Sequence, residues 1–127
     1  MPMKEDRIKT LLQASKSAGP LTVGFLLVPN FSMLAFASAL EPLRAANRMS
    51  GQNLFSWVIS SPTGAAPEAS NGVRVDVQGT PEMLQDCRLV FVCAGLEVKA
   101  HTDKETLNLI RRLDRNCLLY TSPSPRD

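Results

Sequence analysis

The sequence predicts an α/β domain built on a mostly parallel sheet with helices on both faces. Three observations carry this. Short, nearly uninterrupted apolar runs recur at 22-TVGFLLV-28, 55-FSWVIS-60 and 89-LVFVC-93, and strands buried on both faces have this composition. Segments of helical composition alternate with those runs, at 31–50 and 102–116, and strands alternating with helices indicate parallel β-α-β units. The chain has 127 residues, 44% of them hydrophobic, which supplies the core of one domain.

Taken in order, residues 1–20 are polar apart from Ile8, Leu11 and Leu12, a weak stripe at helical spacing. Gly19-Pro20 then breaks the chain, so this stretch reads as a flexible leader. The first apolar run ends at Pro29-Asn30. The next segment, FSMLAFASALEPLRAANRMS, is rich in Ala, Leu and Met, and Gly51 follows it. Propensity and the glycine stop signal both predict a helix. Phe36, Leu40, Leu43 and Asn47 share the face expected to meet the sheet; Leu34, Ala37 or Ser38, and Glu41 share another. Pro42 removes an amide donor and crowds the carbonyl of Ser38, at a cost of about 3 kcal/mol. Either the helix kinks there or its regular part begins near Ala39. In the second run, Phe55, Trp57 and Ile59 alternate onto one side. Residues 63–72 are turn-rich. Val73, Val75 and Val77 alternate with Arg74 and Asp76, which predicts a half-exposed edge strand in a hairpin after Asn71-Gly72. Residues 81–85 have room for one helical turn. After the third run, Thr102-Asp103-Lys104-Glu105 is a capping box for a last helix. The expected inner face of that helix is Leu107, Ile110 and Leu113, with Leu109. Arg111, Arg112 and Arg115 lie toward its C-terminus, where the helix dipole favours cations.

Composition narrows the function classes. Fourteen Lys and Arg against twelve Asp and Glu leave a net charge of +2, neither a polycationic nucleic-acid arm nor an acidic tail. The apolar runs fall far short of the roughly 20 residues that span a bilayer. The N-terminus lacks a secretory signal, so a cytoplasmic protein with no membrane partner is expected. The last residues, Cys117 to Asp127, read CLLYTSPSPRD. That string is also the in-frame translation of the transposase-end adapter used to build sequencing libraries. On this reading the native segment stops near Asn116 and the domain is incomplete because truncated. Leu118, Leu119 and Tyr120 can nonetheless occupy the empty place beside the sheet. Cys87 and Cys93 are then the native cysteines. They form no CxxC pair, and with His101 the only histidine, neither a metal nor a cofactor is expected.

In sheets of this kind ligands sit beyond the carboxyl ends of the strands. The segments there are 29-PNFS-32 and 93-CAGLE-97, so the expected ligand-binding residues are Asn30, Phe31, Ser32, Ala94, Gly95 and Leu96. Amides at the Phe31–Met33 helix start suit a carboxylate, and the ring of Phe31 suits a methylated cation. Arg74, on the polar face of the expected edge strand, is placed outside that site. No catalytic residue is expected. There is no GxGxxG phosphate loop and no GxSxG elbow. Cys93 ends a buried strand and reads as a core side chain, as does Cys87. Glu41 reads as a solvated carboxylate, His101 as a surface residue beside the helix cap, and Phe36 and Trp57 as core.

The stretches VGFLLVPNFSMLAFASALEPLRAANR, WVIS, EASNGVRV and LVFVCAG resemble the N-terminal domain of GlxA-like AraC-family transcriptional regulators. In that family a class I glutamine amidotransferase-like (ThiJ/PfpI) domain precedes an AraC-type DNA-binding domain. The resemblance covers about residues 21–116, and FSMLAFASALEPLRAANR is its most specific part, similar to regulators of glycine betaine and carnitine catabolism. It implies a flavodoxin-like sheet, a small-molecule effector as partner, DNA contacted only through a missing C-terminal domain, and a homo-oligomer in the intact protein. It also implies a sensor rather than an enzyme. Enzymes of the ThiJ/PfpI superfamily place a glutamate in the first helix, where this chain has a residue near Ala35, and their elbow cysteine would follow Asn116. A ThiJ/PfpI-type cysteine hydrolase or amidotransferase-like enzyme is the alternative.

Overall fold

The computed structural model describes residues 19–94, 104–116 and 118–121. In chain order they form β1 (Leu21–Leu27), α1 (Met33–Ser50), β2 (Phe55–Ser60), a 3-10 turn (Pro81–Leu84), β3 (Leu89–Cys93), α2 (Lys104–Asn116) and β4 (Leu118–Thr121). The strands make one parallel sheet in the order β2-β1-β3-β4. The leader through residue 18, Thr102-Asp103 of the capping box, His101, and the site candidates Gly95 and Leu96 lie outside the described residues.

β1 is central and apolar on both sides, so successive side chains feed two cores. Val23, Phe25 and Leu27 enter one, with Phe36, Phe55, Leu89 and Cys93, and Leu40 and Leu43 of α1 pack over it. Leu26 and Val28 enter the other, with Leu84, Cys87, Val90, Leu109 and Leu113. Chain direction reverses between the β1-to-β2 and β2-to-β3 crossovers. Right-handed connections therefore put α1 on one face and the 3-10 turn and α2 on the other. Gly24 sits between them: a Cβ there would lie 2.8 Å from Leu84 Cδ2 and 3.2 Å from Cys87 Sγ.

α1 runs unbroken from Met33 to Ser50 through Pro42, so a start near Ala39 is corrected. Pro42 faces solvent, where water can satisfy the Ser38 carbonyl that loses its helical donor. Ser32 caps the helix by accepting from the Ala35 N–H (3.2 Å), and Gly51 ends it at φ +66°. The face of Phe36, Leu40, Leu43 and Asn47 meets the sheet as expected.

The expected edge strand over 73–77 does not form. Glu68 and Arg74 make an isolated antiparallel bridge around a turn in which Val73 N–H donates to Asn71 Oδ1 (3.0 Å). Beyond Val75 the chain leaves its hairpin partner for the edge of β2, where Ser60 bridges Gly79. Val75 and Val77 still lie over the first core, while Val73 is exposed. On α2, Thr106, Leu109 and Leu113 are buried and Leu107 is 43% exposed. Of the expected inner face, Leu109 and Leu113 are buried and Ile110 packs at the margin, while Leu107 turns outward and Thr106 turns in. β4, within the adapter-like segment, takes the place beside β3 in the register Leu89↔Leu118 to Val92↔Thr121. No helix among the described residues is long and apolar enough to cross a membrane.

Candidate functional site

The strand order changes direction between β1 and β3, so the loops that leave their carboxyl ends diverge to opposite faces and open a crevice. Leu27 pairs with Cys93, and Val28 N–H still donates to the Cys93 carbonyl (3.0 Å). Residues 28–32 and Ala94 therefore leave the sheet side by side.

The first wall is a rigid turn. Asn30 adopts φ +72°, a left-handed conformation that Asn tolerates better than most side chains. Its N–H donates to the Glu68 carbonyl (2.8 Å), and the Phe31 carbonyl accepts from the Ser70 N–H (2.8 Å). Phe31 bridges Ala69, and its fully buried ring meets Phe36 edge-on at 6.1 Å. Phe31 thus forms the floor beneath the turn rather than an open aromatic face. Ser32 is buried and spent on the helix cap. The first turn of α1 contains no acidic residue, which leaves the positive end of its dipole uncompensated by carboxylates on the helix itself.

Beside Pro29 lies a hollow of about 340 Å³ walled by Pro62, Thr63, Ala66 and Pro67, with Glu68 and Arg74 at its rim. Ser61 holds the wall in place: its buried hydroxyl donates to the Ala65 carbonyl (2.6 Å). Arg74 Nε and Glu68 Oε2 stand 3.7 Å apart with both side chains more than half exposed, so the pair is loose. Arg74, expected on the polar face of an edge strand, instead lines the same hollow as Pro29. Nothing in the turn-rich 61–68 composition identified a wall; the hairpin that carries Arg74 back to Pro29 is a tertiary event. A second hollow, about 480 Å³, separates the 3-10 turn from α2 and includes Glu82, Glu105 and Arg112.

The remaining sequence candidates fall away from the chemistry. Cys93 is fully buried in the first core, and burial pushes its thiol up to about 12, which removes it as a thiolate nucleophile. Cys87 is buried in the second core, with Sγ 3.9 Å from the Met83 carbonyl. Glu41 is exposed and accepts two hydrogen bonds from Arg44, at 2.7 and 3.1 Å. Those bonds hold its carboxyl below the ordinary value. Among the described residues no group of His, Cys, Asp and Glu is arranged to hold a metal ion.

No protein-family model matches the chain. The HTH-type transcriptional regulator CdhR of Pseudomonas aeruginosa is 42% identical over 92 residues, 72% of this chain and 27% of that protein. The HTH-type transcriptional regulator GlxA of Rhizobium meliloti is 39% identical over 103 residues, 80% of this chain and 32% of that protein. The chain thus spans about a third or less of the length of these curated relatives. Among solved structures, an AraC family transcriptional regulator from Pseudomonas putida superposes with a TM-score of 0.69 at 24% identity, over 80% of this chain and 55% of that one. A DJ-1 superfamily protein from Agrobacterium tumefaciens superposes with a TM-score of 0.58 at 22% identity, over 80% and 52%. At those identities the likeness shows the fold alone, a flavodoxin-like sheet.

Proposed function

The chain belongs to the GlxA-like, AraC-family transcriptional regulators and carries part of their DJ-1/ThiJ-type domain; on that premise we propose that it senses a small-molecule effector and catalyses no reaction. Residues 21–116 are the native sensor segment in this proposal, acting in the cytoplasm. DNA is contacted through a separate C-terminal domain, and the whole regulator works as a homo-oligomer. The effector is a small quaternary-ammonium or amino-acid-like metabolite whose catabolism the regulator controls. It binds beyond the carboxyl end of β1, beside the turn of Asn30, Phe31 and Ser32, in the hollow walled by Pro29, Pro62, Thr63 and Pro67.

One observation carries the reading. A hollow of about 340 Å³ opens beside Pro29 with a cation and an anion, Arg74 and Glu68, loosely paired at its rim. Small-molecule sites span roughly 300–1,000 Å³ and combine apolar walls with a few placed polar groups. A zwitterion can exchange this exposed pair, worth about 0–1 kcal/mol, for its own carboxylate on Arg74 and its cation on Glu68. The buried thiol of Cys93 supports sensing over thiol chemistry at this edge.

Isothermal titration with glycine betaine, and with 3,3-dimethylbutanoate as the isostere that lacks the cation, tests the proposal. Betaine is expected to bind tighter by up to about fivefold, since an exposed charge pair is worth about 0–1 kcal/mol. Arg74→Ala should weaken both ligands by up to about fivefold, and Glu68→Gln betaine alone. Asn30→Gly, which keeps the left-handed backbone and deletes the side chain, reports on the turn. Equal affinity for betaine and its isostere, or affinity unmoved by Arg74→Ala, defeats the proposal.

A further inference from the structure

The outer edge of β2 is held by the Asn47 side chain and by both the side chain and the backbone of Gln78, in place of a full neighbouring strand. Leu21 N–H donates to the Leu54 carbonyl, which sets the parity of the pairing. Ser56, Val58 and Ser60 turn their backbone groups toward β1, and Phe55, Trp57 and Ile59 turn theirs outward. At Phe55 the side-chain amide of Asn47 makes both bonds that a strand would make. Phe55 N–H donates to Asn47 Oδ1 (2.9 Å), and the Phe55 carbonyl accepts from Asn47 Nδ2 (2.8 Å). At Ile59 the same service comes from Gln78: Ile59 N–H donates to its Oε1 (2.6 Å), and the Ile59 carbonyl accepts from its backbone N–H (2.7 Å). Between these two, no bond from another described residue reaches the outward N–H and carbonyl of Trp57.

The run being shielded, FSWVIS, has no charge, no Pro and no Gly. Uncharged segments of this length, rich in aromatic and β-branched residues, are those that add to other strands when an edge is open. The edge also suits self-pairing. In a two-fold antiparallel pair, Trp57 would face Trp57 of a second copy and Phe55 would face Ile59 of that copy, exchanging both hydrogen bonds at every outward residue. With Asn47 and both the side chain and the backbone of Gln78 in place, only the Trp57 pair remains. We propose that Asn47 and Gln78 are paired edge caps that prevent β2 from joining β2 of a second copy of this chain.

Amide hydrogen exchange and sedimentation velocity on the full chain test this. In Asn47→Ala/Gln78→Ala, Phe55 and Ile59 should exchange at least about tenfold faster at low concentration, the N–H of each having lost its acceptor. Raising the concentration should produce an associated species in which Trp57 becomes protected. Gln78→Glu retains the acceptor and should keep Ile59 slow. Should the double variant fail to fold, Gln78→Ala alone leaves the Asn47 contact between α1 and β2 intact, and Ile59 must still exchange faster. Unchanged exchange at Ile59 in Gln78→Ala overturns the proposal. So does a double variant that folds and does not associate beyond the parent, or that associates without protecting Trp57.

Discussion

Cys93 and Phe31 show what burial does to the chemistry open to a residue. Cys93 follows a run of apolar residues and faces the first core, so its thiolate has no water to stabilise it, and burial moves the thiol from 9.0 to about 12. The unfolded chain releases this proton near 9 and the folded chain near 12, so the contribution of Cys93 to stability is complete below 9 and is lost as pH rises toward 12. Folded protein should leave Cys93 unlabelled by iodoacetamide at neutral pH, with labelling on addition of denaturant; rapid native labelling contradicts the burial. Phe31 was legible as an aromatic at the ligand edge, but its direction was not. The turn at Asn30 rolls the ring inward onto Phe36. Phe31→Ala should therefore cost about 3–5 kcal/mol of folding stability, read in a urea titration. Weakened effector binding in that variant would report lost structure, which makes Asn30→Gly and Arg74→Ala the informative pair.

At the scale of elements, β1, β2, β3 and α1 were legible because period and composition are local properties. The apolar runs match the observed strands to within a residue, and Ser32 and Gly51 bound α1 chemically. The 73–77 segment misled because its alternation is real while its hydrogen-bond partner is not a strand. Val75 and Val77 cover the core, but Gln78 and Gly79 are drawn to the edge of β2. Gly24 sits in an otherwise large-residue strand, and the reason is the 3-10 turn crossing above it. Gly24→Ala would drive a methyl to 2.8 Å from Leu84 Cδ2, and overpacking of this kind costs about 1–3 kcal/mol. The expected outcome is a lower urea midpoint with an unchanged slope; a variant as stable as the parent would mean that Leu84 and Cys87 yield freely.

At the scale of the molecule, the two edges of the sheet differ. β2 carries its side-chain caps, whereas no further strand pairs with β4 among the described residues. Association through β4 is the expected behaviour of the chain at micromolar concentration, seen as concentration-dependent sedimentation with slowed exchange in residues 118–121. A monomer that melts in one sharp transition at the same concentration argues against it. Sequence alone determined the α/β class, the alternation of strands and helices, the ends of α1, the core role of both cysteines and the resemblance to a regulator's sensor domain, because each rests on local periodicity, a cap or a contiguous string of residues. Tertiary structure alone decided that Arg74 returns to Pro29, that Phe31 points inward, that Asn47 and Gln78 close the β2 edge, and that Leu107 turns outward. Those outcomes depend on which residues meet across long sequence separations, and neither propensity nor spacing encodes the crossing of one segment over another.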